Sequence, residues 1–294
     1  MIKIQENQQH QKILFLIKLQ VGLKDFFLNL YNFSDVMLEF RKTFKVKTIN
    51  LIMETLKGER EGLEKETIII LRDKIAAKLE QRKLAGLTEV AVLGIVGGHS
   101  VPEIFTLLKK EKYIDWTKVH IFMLDERKVP INHELSNFKM AKDLFLDVVP
   151  EKNVHPYNFE LHSLGNYEEE MRKVKDYGSD LPYFDIIILT CGEDSHIASL
   201  FPKHDSIKKD SEMFINVNDA PLEPPERMSA SRRLLGRSET AILIFFEARK
   251  VNAYKKFISD KYDIESCPAK LIETIKDSYI LVDVELLTEL KKEA

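Results

Sequence analysis

The chain has 294 residues, 44% of them hydrophobic and 31% charged, with 44 lysines and arginines against 47 aspartates and glutamates. A formal net charge of −3 gives neither nucleic acid nor a membrane surface an electrostatic reason to be the main partner. The length suits one large α/β domain or two small ones. The two cysteines, Cys191 and Cys267, are far apart and make no metal-ligand spacing, so a reducing cytoplasm is the expected compartment.

In chain order, residues 1–44 carry the weakest signal. The apolar run at 13–17 is broken by Lys18, Lys24 and Asp25 before the ~20 residues of a membrane span accumulate, and no clear signal peptide is visible. Leu16, Leu19, Leu23, Phe26, Phe27 and Leu30 recur at helical spacing. They predict an amphipathic helix, serving either as a partner or dimer surface or simply as packing on the domain. We read 1–44 as an N-terminal helical extension of open role and 45–294 as one α/β domain.

Residues 45–51 read as a first strand, and charge-rich 57–65 as a solvated loop or helix end. A long helix follows, with Ile68, Ile69, Leu71, Ile75, Ala76, Leu79 and Leu84 at helical spacing. Residues 89–95 form the next strand. Gly97, Gly98, His99 and Ser100 follow at once, before a helix whose first turn holds Pro102. Strand, double glycine, serine and helix start suit a bound phosphate, because glycine permits close backbone approach and helix N–H groups carry partial positive charge. A tight turn would use the same glycines. His99 reads as an exposed loop residue.

Residues 119–124 are a further apolar strand, ending in Asp125, Glu126 and Arg127, either an active-site rim or a solvated exit. A helix is expected over 135–148 and another around 167–177. Residues 184–189 are rich in β-branched side chains, as a strand buried on both faces requires. The chain then turns polar at Gly192, Glu193, Asp194, Ser195 and His196. A histidine at the carboxyl end of a parallel strand is well placed for proton transfer, although a surface turn would read alike. Strands at 213–217, 240–246 and 278–282 and a C-terminal helix complete the pattern. Between them, three prolines within 221–225 stiffen the loop before Arg227.

Three stretches lift the sequence out of anonymity. Gly192-Glu-Asp-x-His196 followed by Ala198-Ser-Leu-Phe-Pro202, the run Asp125-Glu-Arg-x-Val-Pro130 with Ser136-Asn137, and Pro224-Pro-x-Arg227-Met-Ser229 resemble the signatures of the 6-phosphogluconolactonases. The related glucosamine-6-phosphate deaminases share the first half of the central motif but differ at Arg127 and in the Ser199-Leu-Phe-Pro202 ending. The resemblance runs from about Glu89 to the C-terminus and more loosely from Lys45. Thr190, Ser195 and a residue at Glu247 or Ala248 stand where that family has glycine.

The resemblance implies a Rossmann-like α/β fold of the CoA-transferase-like type: a parallel sheet flanked by helices on both faces, here with an extra N-terminal helical segment. It implies no cofactor and no metal. The expected substrate is a phosphorylated sugar lactone, 6-phosphogluconolactone of the oxidative pentose phosphate pathway, handled by a monomer or homodimer. His196 would be the general base, with Asp194, or Glu193, holding the imidazole or the water; the family pattern favours Asp194. Arg127, which Asp125 would orient or balance, or backbone N–H groups near Gly192, would meet the developing negative charge. Gly97, Gly98 and Ser100 would seat the phosphate, clamped by Arg227 and Lys250. Cys191 reads as core filler rather than nucleophile. Two other readings stay open: an amino-sugar-phosphate deaminase, and a sugar-phosphate binding protein without turnover, which the missing glycines favour.

Overall fold

Continuous apolar runs along short strands, with helices between them, build a central sheet whose two faces are both covered. The computed structural model describes residues 52–178 and 180–292. The helix expected within 16–30 and the strand expected at 45–51 lie outside them, as does the extension at 1–44.

The described strands and helices, in chain order, are β1 (Ile52–Gly58), α1 (Arg60–Leu84), β2 (Ala91–Ile95), α2 (Pro102–Lys110), β3 (Val119–Met123), β4 (Asp125–Arg127) and α3 (Asn137–Leu144). There follow β5 (Val154–His155), α4 (Leu164–Val174), β6 (Ile186–Thr190), α5 (Asp205–Lys208), β7 (Phe214–Val217), β8 (Arg227–Ala230) and α6 (Arg232–Gly236). The last four are β9 (Thr240–Phe245), α7 (Val251–Ile258), β10 (Asp277–Asp283) and α8 (Val284–Lys292).

Seven strands form a sheet in the order β1-β10-β9-β6-β2-β3-β5, and every neighbouring pair is parallel. The order reverses direction between β2 and β6, and in such sheets ligands bind at that switch point, beyond the carboxyl ends of the strands. The period of two sorts the side chains. Along β9, Ala241, Leu243 and Phe245 enter one apolar layer with Tyr167 and Met171 of α4 and Ala253 and Phe257 of α7. Ile242 and Ile244 enter the other, with Leu71 and Ile75 of α1 and Ile104 and Phe105 of α2. Helices therefore cover both faces.

Several boundaries differ from the predicted ones for local reasons. Of the two readings of 57–65 the helix end holds: Lys57 and Gly58 end β1, and Arg60 to Lys65 open α1, their charges paired along the helix as Arg60–Glu64 at 2.8 Å and Lys65–Glu61 at 2.6 Å. Within α1 the inward stripe runs through Leu63, Thr67, Leu71, Ile75, Lys78 and Arg82. Ile69 and Leu84 face outward. The helix expected over 135–148 is α3 followed by a separate 3-10 turn, Leu146–Val148.

The sequence signal also missed a second sheet. Asp125–Arg127 is not merely the end of β3 but a three-residue strand that pairs antiparallel with β8, which in turn pairs with β7. Strands this short with charged residues carry no readable alternation. Their register sets Arg127 directly opposite Arg227.

Candidate active site

Loops leaving the carboxyl ends of β2, β6 and β9 carry most of the residues singled out above, while Asp125 and Arg127 lie in β4 and Arg227 opens β8. The loop after β6 is the tightest. The Gly192 N–H donates to the His196 carbonyl at 2.9 Å, and the Ser195 N–H to the Gly192 carbonyl at 3.0 Å. This closed turn brings the imidazole back over Gly192. A Cβ on Gly192 would lie 2.1 Å from both Nδ1 and Cε1 of His196, so no other residue fits without moving the ring. Gly192 thus contributes space. Its own N–H is already engaged by the His196 carbonyl.

Asp194 fixes the imidazole twice. Its Oδ1 accepts the His196 backbone N–H at 3.0 Å and lies 2.6 Å from Nδ1. A carboxylate only accepts, so Nδ1 carries the proton and Nε2 presents its lone pair. Burial alone would raise the Asp194 pKa, but the hydrogen bond and charge of His196 outweigh it and hold the carboxyl below its ordinary value.

Ser195 has φ 85°, a left-handed conformation where a Cβ costs about 1–2 kcal/mol. The serine therefore keeps the geometry that glycine would adopt freely. Glu247 has φ 83°, which identifies it, rather than Ala248, as the other position departing from glycine. Thr190 ends β6 and is not among the positive-φ residues, so its side chain asks nothing unusual of the backbone.

Asp125 joins the motifs together. Buried at 4% exposure, it accepts Ser199 Oγ at 2.8 Å through Oδ2 and Asn137 Nδ2 at 3.1 Å through Oδ1. It makes no ion pair with Arg127, against expectation, because these two shorter side chains already occupy it. Neighbouring Glu126 caps α3, accepting the N–H groups of Asn137 and Phe138, each at 2.8 Å, and the Ser136 hydroxyl at 3.0 Å. Burial pushes its pKa up and those N–H bonds oppose the rise. Gly97 makes room for this arrangement: a Cβ there would fall 2.1 Å from Asn137 Oδ1.

The arginines are held by carbonyls rather than by acids. Arg127 Nη1 donates to Leu135 O at 2.7 Å, while its buried Nε has no partner. Arg227 donates from Nε to Pro224 O at 2.9 Å and from Nη2 to Leu222 O at 2.9 Å and Glu223 O at 3.2 Å. Its guanidinium lies over the Phe201 ring, 5.4 Å from the centroid, and that ring packs 4.8 Å from the His196 ring. The carbonyls of the proline-rich loop thus hold Arg227 over the Phe201 ring. Among the described residues neither arginine makes a salt bridge; burial pushes the Arg227 pKa down, and the nearby charge of Asp125 offsets the repulsion of Arg127.

Lys250, Ser100 and Glu247 form the second group. The buried Lys250 Nζ donates to Ser100 Oγ at 2.7 Å, and burial pushes the ammonium pKa down. Gly98, with φ 103°, turns the loop above them, and a Cβ there would sit 3.7 Å from Thr190 Oγ1. His99 is exposed and Cys191 buried, its thiol pKa pushed well up by burial, so neither is a nucleophile.

A histidine–aspartate pair and clustered cations at the switch point of a parallel sheet define an α/β protein that handles a small anionic ligand. The sequence profile described as glucosamine-6-phosphate isomerases/6-phosphogluconolactonase matches residues 63–281, and the chain belongs to this family. It is 32% identical over 186 residues to the probable 6-phosphogluconolactonase 4 of Arabidopsis thaliana, covering 57% of this chain and 71% of that protein. It is 30% identical over 198 residues to the 6-phosphogluconolactonase of Borreliella burgdorferi, covering 66% and 83%. Among solved structures, the 6-phosphogluconolactonase of Leishmania guyanensis superposes with a TM-score of 0.69 at 17% identity, over 80% of this chain and 97% of that one. That of Thermotoga maritima gives 0.64 at 23%, over 79% and 100%, so both share the fold.

Proposed function

We propose that this protein hydrolyses 6-phosphoglucono-lactone to 6-phosphogluconate, the lactone-opening step of the oxidative pentose phosphate pathway. Membership of the family, and relatives named 6-phosphogluconolactonase, support the substrate. The observation that carries the chemistry is the 2.6 Å bond between His196 Nδ1 and Asp194, which leaves Nε2 as the basic nitrogen.

In this reading water approaches the lactone carbonyl carbon, and His196 Nε2 takes a proton as the new C–O bond forms. Negative charge gathers on the carbonyl oxygen and is met by Arg127, whose buried Nε lacks a partner. Collapse of the tetrahedral intermediate breaks the bond to the ring oxygen, which recovers the proton from the imidazolium. Asp194 stabilises that cation while it exists. Gly97, Gly98, Ser100 and Lys250 receive the phosphate from one side, and Arg227 supplies the second cation. No step calls for a cofactor. Two buried, free cysteines suit a reducing compartment, and we assign the protein to the cytoplasm. Among the described residues no helix is long and apolar enough to cross a membrane.

The test is hydrolysis of fresh 6-phosphogluconolactone, corrected for spontaneous opening, by wild type and His196→Ala. Turnover that falls by about 10²–10⁴-fold in the variant is expected for loss of a general base. Full turnover in His196→Ala would remove the base assignment. Ammonia release from glucosamine 6-phosphate, without lactone opening, would move the protein to the other branch of its family.

A further inference from the structure

Glu247 is the residue for which the reaction just described has no use. It sits in the loop after β9 with a left-handed backbone, φ 83° and ψ 137°, where its side chain brings strain rather than relief. The loop is nevertheless held firmly, since the Glu247 N–H donates to Asp283 Oδ2 at 2.8 Å. That anchor directs the carboxylate into the second cationic group. Oε1 lies 3.5 Å from Ser100 Oγ, the hydroxyl that accepts from Lys250 Nζ at 2.7 Å. Because Ser100 Oγ accepts from the ammonium, its own proton is left to point at the carboxylate. Oε2 accepts Arg249 Nε at 2.5 Å, and Arg249 Nη1 reaches across to Glu193 Oε1 at 2.9 Å. Glu193 belongs to the loop of His196, so a chain of charges bridges the loops after β2, β6 and β9.

A carboxylate beside a buried serine–lysine pair occupies the neighbourhood that an incoming phosphate needs. Two anions sharing one hydroxyl and one ammonium repel strongly at such distances. Burial of the carboxyl would raise its pKa, but Arg249 outweighs this and holds the group ionised.

We infer that Glu247 is the resident anion of the Ser100–Lys250 pair, which must swing aside for the phosphate of the substrate and thereby sets the affinity for phosphorylated ligands. Arg249 is its alternative seat: already bonded to Glu247 and Glu193, it can hold the displaced carboxylate away from Ser100. The inference rests on the reading of Ser100 and Lys250 as the phosphate seat. It makes Glu247 a determinant of KM rather than of kcat.

The experiment measures binding of inorganic phosphate and of 6-phosphogluconate by calorimetry, alongside lactone kinetics, for wild type, Glu247→Gln, Glu247→Gly and Lys250→Met. Removing the charge in Glu247→Gln is expected to tighten both ligands by about 5–20-fold, the scale of one partly screened like-charge contact, and to lower KM with kcat unchanged. Glu247→Gly should tighten them as much and also raise the unfolding temperature, since it relieves the left-handed backbone. Unchanged affinity in Glu247→Gln would overturn the inference. So would tightening confined to Glu247→Gly, because the cause would then be backbone and not charge. Lys250→Met separates the two levels. If it weakens phosphate while Glu247→Gln changes nothing, only the inference falls; if it leaves phosphate binding intact, the phosphate seat falls and the inference with it.

Discussion

The two edges of the central sheet handle buried charge in opposite ways. At the amino edge, Asp185 just before β6 accepts Lys175 Nζ at 2.7 and 2.6 Å and the Val92 N–H at 2.7 Å, and lies 3.1 Å from Lys78 Nζ. Lys78 continues to Glu239 at 2.7 Å, and Lys175 lies over the Tyr183 ring, 4.4 Å from its centroid. Burial drives the Lys175 pKa down to about 8 even with Asp185 beside it. At the carboxyl edge the same kinds of group leave valences open: His196 Nε2, Arg127 Nε, and two arginines without an acid. Orphaned atoms alone do not mark the site, since Arg82 Nη2 and Tyr177 Oη are unpartnered among the buried atoms near the amino edge. Backbone strain is the sharper marker. Among the described residues, the four non-glycine positions with positive φ are Ser195, Ala198, Lys203 and Glu247, all in loops leaving β6 and β9 at the carboxyl edge. The amino edge uses charge to hold the sheet together; the carboxyl edge tolerates strain to hold groups ready for a ligand.

That division is broken most directly by exchanging its two outcomes. Asp185→Ala leaves two buried lysines short of a carboxylate and should cost about 3–5 kcal/mol in urea unfolding, while the folded fraction keeps its turnover. His196→Ala should do the reverse, losing turnover at a stability cost of about 1 kcal/mol. A folded Asp185→Ala protein without activity would show that the edges are not independent. Next in size, Asp194→Asn should lower kcat by about 10²–10³-fold with little change in KM, because an amide can present its N–H to Nδ1 and favour the wrong tautomer. Equal kcat in that variant would reduce Asp194 to a loop-closing residue. Smaller again is Ser195→Gly. Relief of φ 85° offset by the extra freedom of an unfolded glycine leaves a gain of about 0.5–1 kcal/mol. Turnover should be unchanged, since Asp194 and the bare Cα of Gly192 position the ring.

The same contrast explains what could be read beforehand. Strands such as β6 and β9 are apolar on both faces, and that composition announces them and their parallel order. The motif residues are legible because the loops at the carboxyl edge are local: Gly192, Asp194 and His196 meet within five positions. Long-range partners were not legible. Nothing in the spacing says that Asp125 would bind Ser199 and Asn137 instead of Arg127, or that Arg127 and Arg227, a hundred positions apart, would face each other across β4 and β8. Lys78 and Arg82 look like the solvated side of α1 because helical periodicity counts charges as exposed. Only the fold reveals that they lie under the sheet, Lys78 paired with acids there.

The smallest effect tests whether the Asp194–His196 pair also contributes to holding the fold. The folded-state pKa of Asp194 is lowered, so the unfolded chain binds more protons in the window between that value and the unfolded aspartate value of ~3.9. The stabilisation is therefore complete above ~3.9 and is lost as pH falls through the folded value. Because the Asp194 side chain is 40% exposed, water screens the pair and its contribution should not exceed about 1 kcal/mol. The difference in unfolding free energy between wild type and Asp194→Asn should accordingly shrink as pH falls below about pH 4. A difference of several kcal/mol, comparable with that expected for Asp185, would mean that the carboxyl edge is braced by its histidine–aspartate pair. The contrast between the two edges would then be one of degree.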